Sequence, residues 1–164
     1  MAGWRAMQEN DLPRVAEIAA RVHPSYPEDT EVFAERLRLY PQGCRVLSDE
    51  AGALVGYVLS HPWLFKQPPA LNALLGRLPE SPTTYYLHDI ALLPQARGGG
   101  FAGGTIFSMA RDARAARFSN MSLVAVNDSA AFWEKLGFLI VDAAAPAAKL
   151  GSYGAGARLM ARQS

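Results

Sequence analysis

Apolar residues recur at helical spacing in two stretches near the N-terminus, and this pattern predicts two amphipathic helices. The first covers about 12–22 and stops before Pro24, and the second covers about 29–40. The apolar side of the second helix is expected to pack inward. Its charged side is expected to face solvent, with Glu31, Glu35, Arg36 and Arg38.

Short runs of β-branched and aromatic residues predict strands along the rest of the chain. They lie at 4–7, 44–48, 53–61, 84–93, 121–126, 138–141 and 157–161. The polar turn at 49–52 predicts an antiparallel hairpin between the second and third strands. A third helix is expected at about 102–117, with a packed stripe that contains Ile106 and Met109.

A glycine-rich loop, Arg97-Gly98-Gly99-Gly100-Phe101-Ala102-Gly103, lies between a predicted strand and a predicted helix. The first amides of a helix lack intrahelical partners, and glycines let the backbone approach an anion closely. This order of elements therefore predicts a phosphate site. A mononucleotide P-loop is disfavoured because no lysine follows the glycines, and a dinucleotide fingerprint lacks its second βαβ unit.

Together with the preceding Pro94, the loop resembles the Arg/Gln-x-x-Gly-x-Gly/Ala signature of the GNAT superfamily of N-acetyltransferases. A second segment, at 127–138, is similar to the Asn, helix, aromatic-x-x-x-Gly-Phe segment that closes over the pantetheine arm of acetyl-CoA in that superfamily. The resemblance implies an α/β (α+β) GNAT-like fold. In it, a mixed, mostly antiparallel sheet of six to seven strands is flanked by helices and is split at the cofactor site.

The resemblance also implies which residues bind acetyl-CoA. The strand before the proline orients the thioester, the glycine loop anchors the pyrophosphate, and the second segment contacts the pantetheine arm. The residues concerned are Ile90, Ala91, Leu92, Arg97, Gly98, Gly99, Gly100, Phe101, Ala102, Gly103, Asn127, Phe132 and Trp133.

The second segment departs from the superfamily pattern in two ways. Asn127 precedes the aromatic residue by six positions where seven are usual, and Trp133 stands where a tyrosine often protonates the leaving thiolate. An indole N–H donates a hydrogen bond but is not an acid near neutral pH. Tyr153, Tyr86 or water remain as substitutes for that acid.

The strand at 84–93 carries the candidate base. At Tyr86 and His88 it is similar to the two-histidine strand of the arylalkylamine N-acetyltransferase branch, which implies that His88 accepts the proton of the amine. An amine with a pKa near 10.4 is almost fully protonated at neutral pH and needs such a base. A hydrogen-bonded core histidine is the alternative. Strand alternation places His88 with Tyr86 on one face and Leu87 with Asp89 on the other, unless a bulge intervenes.

In the resembled superfamily the two N-terminal helices form a wall of the acceptor groove. Glu28, Asp29 and Glu31 therefore either meet a cationic substrate or form a solvated helix start that suits the helix dipole. The proline-rich but apolar stretch at 62–82 is interpreted as a cover over the acceptor site or a subunit contact. About two helical turns are expected at 70–78.

Composition narrows the possible partners. A net charge of +1 disfavours nucleic acid and anionic membranes, and the single cysteine, Cys44, is expected to serve packing. One domain over 1–164, no metal site, no signal segment, a cytoplasmic location and a possible homodimer are the expectations. The predicted function is acetyl-CoA-dependent acetylation of a primary amine on a small molecule or peptide, by direct attack in a ternary complex. The alternatives are a non-catalytic acyl-CoA-binding module and a nucleotide-binding protein of another class.

Overall fold

The computed structural model describes residues 1–126, 129–141, 152–154 and 156–164. In chain order the α-helices and strands of the described residues are β1 Gly3–Ala6, α1 Leu12–Val22, α2 Thr30–Leu39, β2 Cys44–Ser48, β3 Leu54–Trp63, β4 Thr84–Leu92, α3 Phe101–Ala115, β5 Asn120–Ala125, α4 Ala130–Lys135, β6 Leu139–Ile140 and β7 Arg158–Gln163. The predicted strands and the helices predicted at about 12–22, 29–40 and 102–117 are confirmed with shifts of a few residues at their ends. The alanine-rich stretch that follows β6 lies outside the described residues.

The strands form one sheet in the order β1-β2-β3-β4-β5-β7-β6. Every neighbouring pair is antiparallel except β4 and β5, which run parallel. The predicted mixed, mostly antiparallel sheet flanked by helices is therefore confirmed.

The sheet splits between β4 and β5. Within the described residues their register contains two pairs, Tyr85 with Met121 and Tyr86 with Ser122. Beyond Tyr86, β4 continues along β3 while β5 continues along β7. The second half of β4 thus presents one edge to a cleft instead of to a neighbouring strand.

Helices cover both faces of the sheet, because successive side chains of the central strands point to opposite sides. Tyr57 and Leu59 belong to the core shared with α1 and α2, whereas Val58 belongs to the core shared with α3 and α4. Cys44 is buried in the first core, and burial raises the pKa of its thiol to about 12. This placement agrees with a packing role.

Two expectations about the acceptor wall are wrong. Glu35 and Arg36 of α2 are buried, although the helical pattern placed them toward solvent. The stretch at 70–78 forms turns and irregular backbone instead of a helix. Both differences have one cause: the carboxylate of Glu35 accepts the N–H groups of Leu75 and Gly76, so buried side chains satisfy the backbone of the irregular stretch.

None of the described helices is long and apolar enough to cross a membrane.

Candidate active site

A cavity of about 810 Å³ opens where β4 and β5 diverge. The end of α1, the α1–α2 loop, β4, the glycine loop and α4 all contribute to its wall. The predicted cofactor residues that line it are Ile90, Ala91, Leu92, Arg97, Gly98, Gly100, Phe101, Ala102, Gly103, Phe132 and Trp133. Gly99 lies in the same loop with its Cα facing the ring of Phe101, and Asn127 is outside the described residues.

The glycine loop presents a helix N-terminus to this cavity. Gly98 and Gly100 adopt φ values of +84° and +79°, which favour glycine over residues with a Cβ. Gly100 caps α3, and the N–H of Gly104 makes the first bond of the helix to its carbonyl at 2.9 Å. The amides of Phe101–Gly103 are therefore left free of helical partners at the positive end of a 15-residue helix.

The open edge of β4 carries backbone groups suited to an extended ligand. The N–H of Leu93 donates to the carbonyl of Val55 in β3. Because backbone groups alternate sides in an antiparallel pair, the N–H and C=O groups of Ile90 and Leu92 point away from β3 and toward the cleft. The carbonyl of Leu92 accepts a bond from Arg97 Nε at 3.0 Å, and that of Ile90 lies 3.2 Å from His23 Nε2. Each carbonyl retains a second lone pair for a ligand.

A β-bulge in β4 sets the direction of the polar side chains. The register passes from Leu59 opposite Asp89 to Ser60 opposite Leu87, which leaves His88 as the extra residue. His88 contacts Glu28 in the α1–α2 loop and Asp89 contacts His23 at the end of α1. The bulge thus places His88 and Asp89 on the same face, where simple alternation would separate them.

His88 and Glu28 form a buried pair. The Nε2 of His88 lies 2.8 Å from Oε1 of Glu28, and their side chains are 1% and 5% exposed. The other carboxylate oxygen accepts the N–H of Asn72. Burial favours a higher pKa for Glu28, but the charge that His88 carries when protonated and the hydrogen bond between them outweigh it and lower the pKa. The interpretation of Glu28 as a solvated helix start is therefore wrong.

A second histidine–carboxylate pair lines the same cavity. His23 Nε2 lies 2.9 Å from Oδ1 of Asp89, whose other oxygen accepts the hydroxyl of Tyr57. Burial opposes charge on both partners, yet the bond and charge between them prevail, so the pKa of His23 is raised and that of Asp89 is lowered. No sequence pattern predicts a role for His23, whose only local signal is its place between a helix end and Pro24.

The two tyrosines considered as acids are hydrogen-bonded to each other. Tyr153 lines the cavity, whereas Tyr86 is not among the described residues that do. Tyr86 bonds to Tyr153, whose hydroxyl donates to the carbonyl of Pro69 at 3.2 Å. Burial raises the pKa of both phenols. Both are therefore weaker acids than an exposed tyrosine.

Part of the stretch at 62–82 contacts Glu28 and Tyr153, which line the cavity. Leu71 lines the cavity, and its N–H donates to Ser152 Oγ at 3.0 Å. Asn72 accepts the N–H of Asp29 at 2.7 Å. The stretch is thus tied to the α1–α2 loop on one side and to Ser152 and Tyr153 on the other, as a cover would be.

The aromatic residues of the second motif differ in exposure. Phe132 is 44% exposed, whereas Trp133 is buried and packs edge-on against Phe138 with ring centroids 5.6 Å apart.

In the described part of the chain, no group of three or more His, Cys, Asp or Glu side chains is arranged to hold a metal ion.

A sequence profile of the Acetyltransferase (GNAT) family matches residues 7–138. The chain belongs to this family. The match contains both N-terminal helices, the stretch at 62–82, the glycine loop and the aromatic segment. No curated protein matches the sequence of this GNAT protein.

Solved structures share the fold of this GNAT protein at low sequence identity. N-acetylglutamate synthase from Neisseria gonorrhoeae, complexed with coenzyme A and N-acetyl-glutamate, has a TM-score of 0.72 and 15% identity, covering 99% of this chain and 35% of its own. Ard1 from Thermoplasma volcanium has a TM-score of 0.73 and 18% identity over 99% and 97%. GphF, a GNAT-like decarboxylase in complex with isobutyryl-CoA, has a TM-score of 0.77 and 17% identity over 98% of both chains.

The residues of this GNAT protein fit coenzyme A in three respects. The free amides of Phe101–Gly103 suit a diphosphate, because they combine unpaired donors with the helix dipole. The carbonyls of Ile90 and Leu92 face the cleft and suit the amide groups of an extended arm. Phe132 and Trp133 supply an apolar wall beside that path.

Proposed function

We propose that this GNAT protein transfers the acetyl group of acetyl-CoA to a primary amine of a small molecule or peptide. The observation that carries the proposal is the buried Glu28–His88 pair, which lines the same cavity as the glycine loop. One cavity therefore combines a site for the donor with a group that accepts a proton from the acceptor.

On the donor side, the amides of Phe101–Gly103 bind the diphosphate and the edge of β4 orients the arm that follows. With hydrogen bonds to charged groups worth about 1.5–3 kcal/mol each, three such amides account for a large part of micromolar binding. Arg97 is exposed at the start of the loop. Its guanidinium is placed to exchange the hydrogen bond to the Leu92 carbonyl for one to the phosphate.

On the acceptor side, the ionised carboxylate of Glu28 attracts the ammonium form of the substrate. Only the neutral amine has a lone pair for attack, so the proton must leave first. Glu28 accepts the Nε2–H of His88, which leaves Nδ1 as the basic atom of the ring. His88 takes up the amine proton at Nδ1 through water, and the negative charge of Glu28 stabilises the resulting imidazolium.

Acetyl-CoA supplies a thioester carbonyl that the neutral amine attacks, with release of coenzyme A as the thiol. Trp133 contributes a hydrogen-bond donor and an apolar wall, but no acid. Tyr153 is a weak acid because of its raised pKa, so it orients groups by hydrogen bonding and leaves protonation of the thiolate to water. A thiol with a pKa near 8.5 is a good enough leaving group for this.

A non-catalytic acyl-CoA-binding module is the second candidate, and Trp133 in place of the usual tyrosine favours it. Such a module needs the glycine loop but gains nothing from a buried Glu28–His88 pair. The two candidates therefore differ in whether any amine is acetylated.

The test is incubation of the purified protein with acetyl-CoA and a broad panel of primary amines, including alkylamines, amino acids and short peptides. Thiol release is measured together with the mass of the amine product. The proposal predicts at least one amine that gains an acetyl group with one thiol released per product. Acetyl-CoA binding with no acetylated amine across the panel supports the binding module instead.

A further inference from the structure

Three buried side-chain nitrogens have no hydrogen-bond partner within the described part of the chain, and their residues lie near one another. They are Arg36 Nε, His61 Nε2 and His88 Nδ1. Arg36 and His61 are 1% exposed, and so is the side chain of His88. Leaving a buried donor or acceptor unpaired costs about 1–3 kcal/mol, so three in one place indicate a bound partner.

The three residues come from three different elements, and one of them, His88, also lines the cavity. His61 lies on β3 and His88 is the bulged residue of β4, with their ring centroids 6.4 Å apart. Arg36 lies on α2, and its charge acts on His61. The elements thus bring the nitrogens to the same face of the sheet.

The hydrogen positions on these nitrogens follow from their other contacts. His61 Nδ1 lies 2.9 Å from the carbonyl of Pro62, an acceptor, so it carries the proton and Nε2 has a lone pair. Burial lowers the pKa of His61 to about 3, which keeps the ring neutral. His88 donates through Nε2 to Glu28, so its Nδ1 also has a lone pair. Arg36 Nε–H is a donor.

We propose that one water molecule binds among these three nitrogens. It accepts a hydrogen bond from Arg36 Nε–H and donates one each to His61 Nε2 and His88 Nδ1. Buried waters typically make about three hydrogen bonds, and this site offers one donor and two acceptors. An ammonium or metal cation is disfavoured by the guanidinium of Arg36, and an anion is disfavoured by two imidazole lone pairs.

The water has a role in catalysis that rests on the proposed function. The amine N–H bond breaks as its proton passes to the water, and the O–H bond that pointed at His88 breaks as its proton passes to Nδ1, so that nitrogen changes from acceptor to donor. The water then accepts from His88 and still donates to His61. His88 therefore changes protonation state without losing a partner or moving away from Glu28, and His61 and Arg36 are positioning residues for it.

The first test is a high-resolution crystal structure of the ligand-free protein and of two variants. His61→Gln keeps an acceptor near the position of Nε2, whereas His61→Phe keeps the ring volume and removes the acceptor. The proposal predicts a water about 2.7–3.2 Å from all three nitrogens in the wild type. It predicts the same water in His61→Gln and none in His61→Phe. A wild-type site without this water, or one in which the nitrogens pair directly with protein groups, overturns it.

The second test separates positioning from packing. In His61→Phe, kcat is expected to fall about tenfold, a part of the 10²–10⁴ that a general base contributes, with the KM for acetyl-CoA unchanged. His61→Gln is expected to restore the rate. If His61 serves packing alone, the phenyl ring preserves the rate and glutamine does not, and the proposal is then wrong.

A second variant and a spectroscopic measurement also test the water site. If His61→Phe does not fold, Arg36→Lys keeps the positive charge but lacks Nε, and it is expected to lose the water from its structure. The ¹⁵N shift of His88 Nδ1 is measured without substrate, and it is expected to move toward that of an unbonded imidazole nitrogen in His61→Phe. An unchanged shift overturns the water site. Failure to acetylate any amine overturns the proposed function but not the water site.

Discussion

The imidazole of His88 lies 2.8 Å from the carboxylate of Glu28, although the two residues are 60 positions apart in the chain. The bulge in β4 turns His88 toward the α1–α2 loop, and that loop delivers Glu28 just before α2 begins. The pair depends on two irregular pieces of backbone. The proposed acceptor site therefore lies where helix and strand patterns alone do not indicate one.

Glu28→Gln tests the carboxylate of this pair. The variant keeps the shape of the side chain but removes the negative charge that attracts the ammonium and stabilises protonated His88. We expect kcat/KM for the amine to fall about 10²- to 10³-fold, within the range for loss of general-base assistance. Steady-state kinetics with the best amine of the panel provide the measurement.

Glu31→Gln is the matched control for Glu28→Gln. Glu31 is an exposed acid in the first turn of α2, close to Glu28 in sequence. Its substitution is expected to leave kcat/KM within a factor of two, because solvated charges at this distance are largely screened. Equal losses in both variants contradict a specific role for Glu28 and indicate general attraction by acidic residues.

His88→Ala separates an enzyme from a binding module. The side chain pairs with Glu28 of the α1–α2 loop and belongs to neither the glycine loop nor the aromatic segment, so the affinity for acetyl-CoA is expected to stay within about twofold of the wild type. The rate of acetyl transfer is expected to fall about 10²- to 10⁴-fold. Calorimetric titration and thiol release measure the two quantities separately. Unchanged turnover argues against His88 as the base.

The His23–Asp89 pair predicts a pH dependence of stability. The pKa of Asp89 is lowered in the folded protein, so its contribution is present above its ordinary pKa near 3.9 and is lost as the pH falls through the folded value. The pKa of His23 is raised, so its contribution is present below its ordinary pKa near 6.5 and is lost as the pH rises through the folded value. The pair is therefore most stabilising between about pH 4 and 6.5.

Asp89→Asn is the variant for this pH dependence. Denaturant unfolding of wild type and variant at several pH values gives the difference in the free energy of unfolding. We expect about 1.5–3 kcal/mol between pH 4 and 6.5, as for hydrogen bonds to charged groups, and a smaller difference at pH 9. Asp112→Asn, which removes an exposed carboxylate of α3, controls for loss of surface charge. A difference that grows toward pH 9 contradicts the assigned charges.

Asn72→Ala tests the cover. Asn72 accepts the N–H of Asp29 through its side chain and adopts φ of +59°, so alanine loses a hydrogen bond and adds backbone strain. We expect faster hydrogen exchange across 69–76 and a three- to tenfold higher KM for the amine, as for loss of one hydrogen bond of about 1 kcal/mol. The affinity for acetyl-CoA is expected to be unchanged. Arg77→Ala, at an exposed position of the same stretch, is the control.

Sequence patterns predicted the strands, helices α1 to α3 and the glycine loop because each depends on local order, whereas the sheet architecture and α4 were expected from the resemblance to the GNAT superfamily. Period-2 and period-3.6 spacing marks strands and helices, and the loop is defined by consecutive glycines. The bulge at His88 was not predictable, since a single extra residue leaves the apolar pattern of β4 intact. The register between β3 and β4 shows the bulge, which places Asp89 on the same face as His88.

The acceptor wall shows why helical patterning failed locally. Charged residues are expected on the solvent side of a helix, but Glu35 and Arg36 are buried because an irregular stretch offers them backbone partners. The apolar spacing at 70–78 predicted a helix, but the backbone there bonds to Glu35 instead of to itself. The partner groups are 37 to 41 positions away, so the sequence window that predicts a helix does not contain them.

The most direct test of the whole account is the affinity for acetyl-CoA of Gly100→Glu, measured by calorimetry. The substitution places a Cβ and a negative charge at the αL cap of α3. Gly52→Glu is the matched control, since Gly52 has φ of +86° in the β2–β3 turn and does not line the cavity in the described structure.

We predict micromolar binding by the wild type and by Gly52→Glu, and at least a tenfold loss in Gly100→Glu, in line with one or more lost charge-assisted hydrogen bonds. Equal affinities in all three proteins, or no binding of acetyl-CoA by the wild type, would contradict the assignment of the glycine loop and the acetyltransferase function built on it.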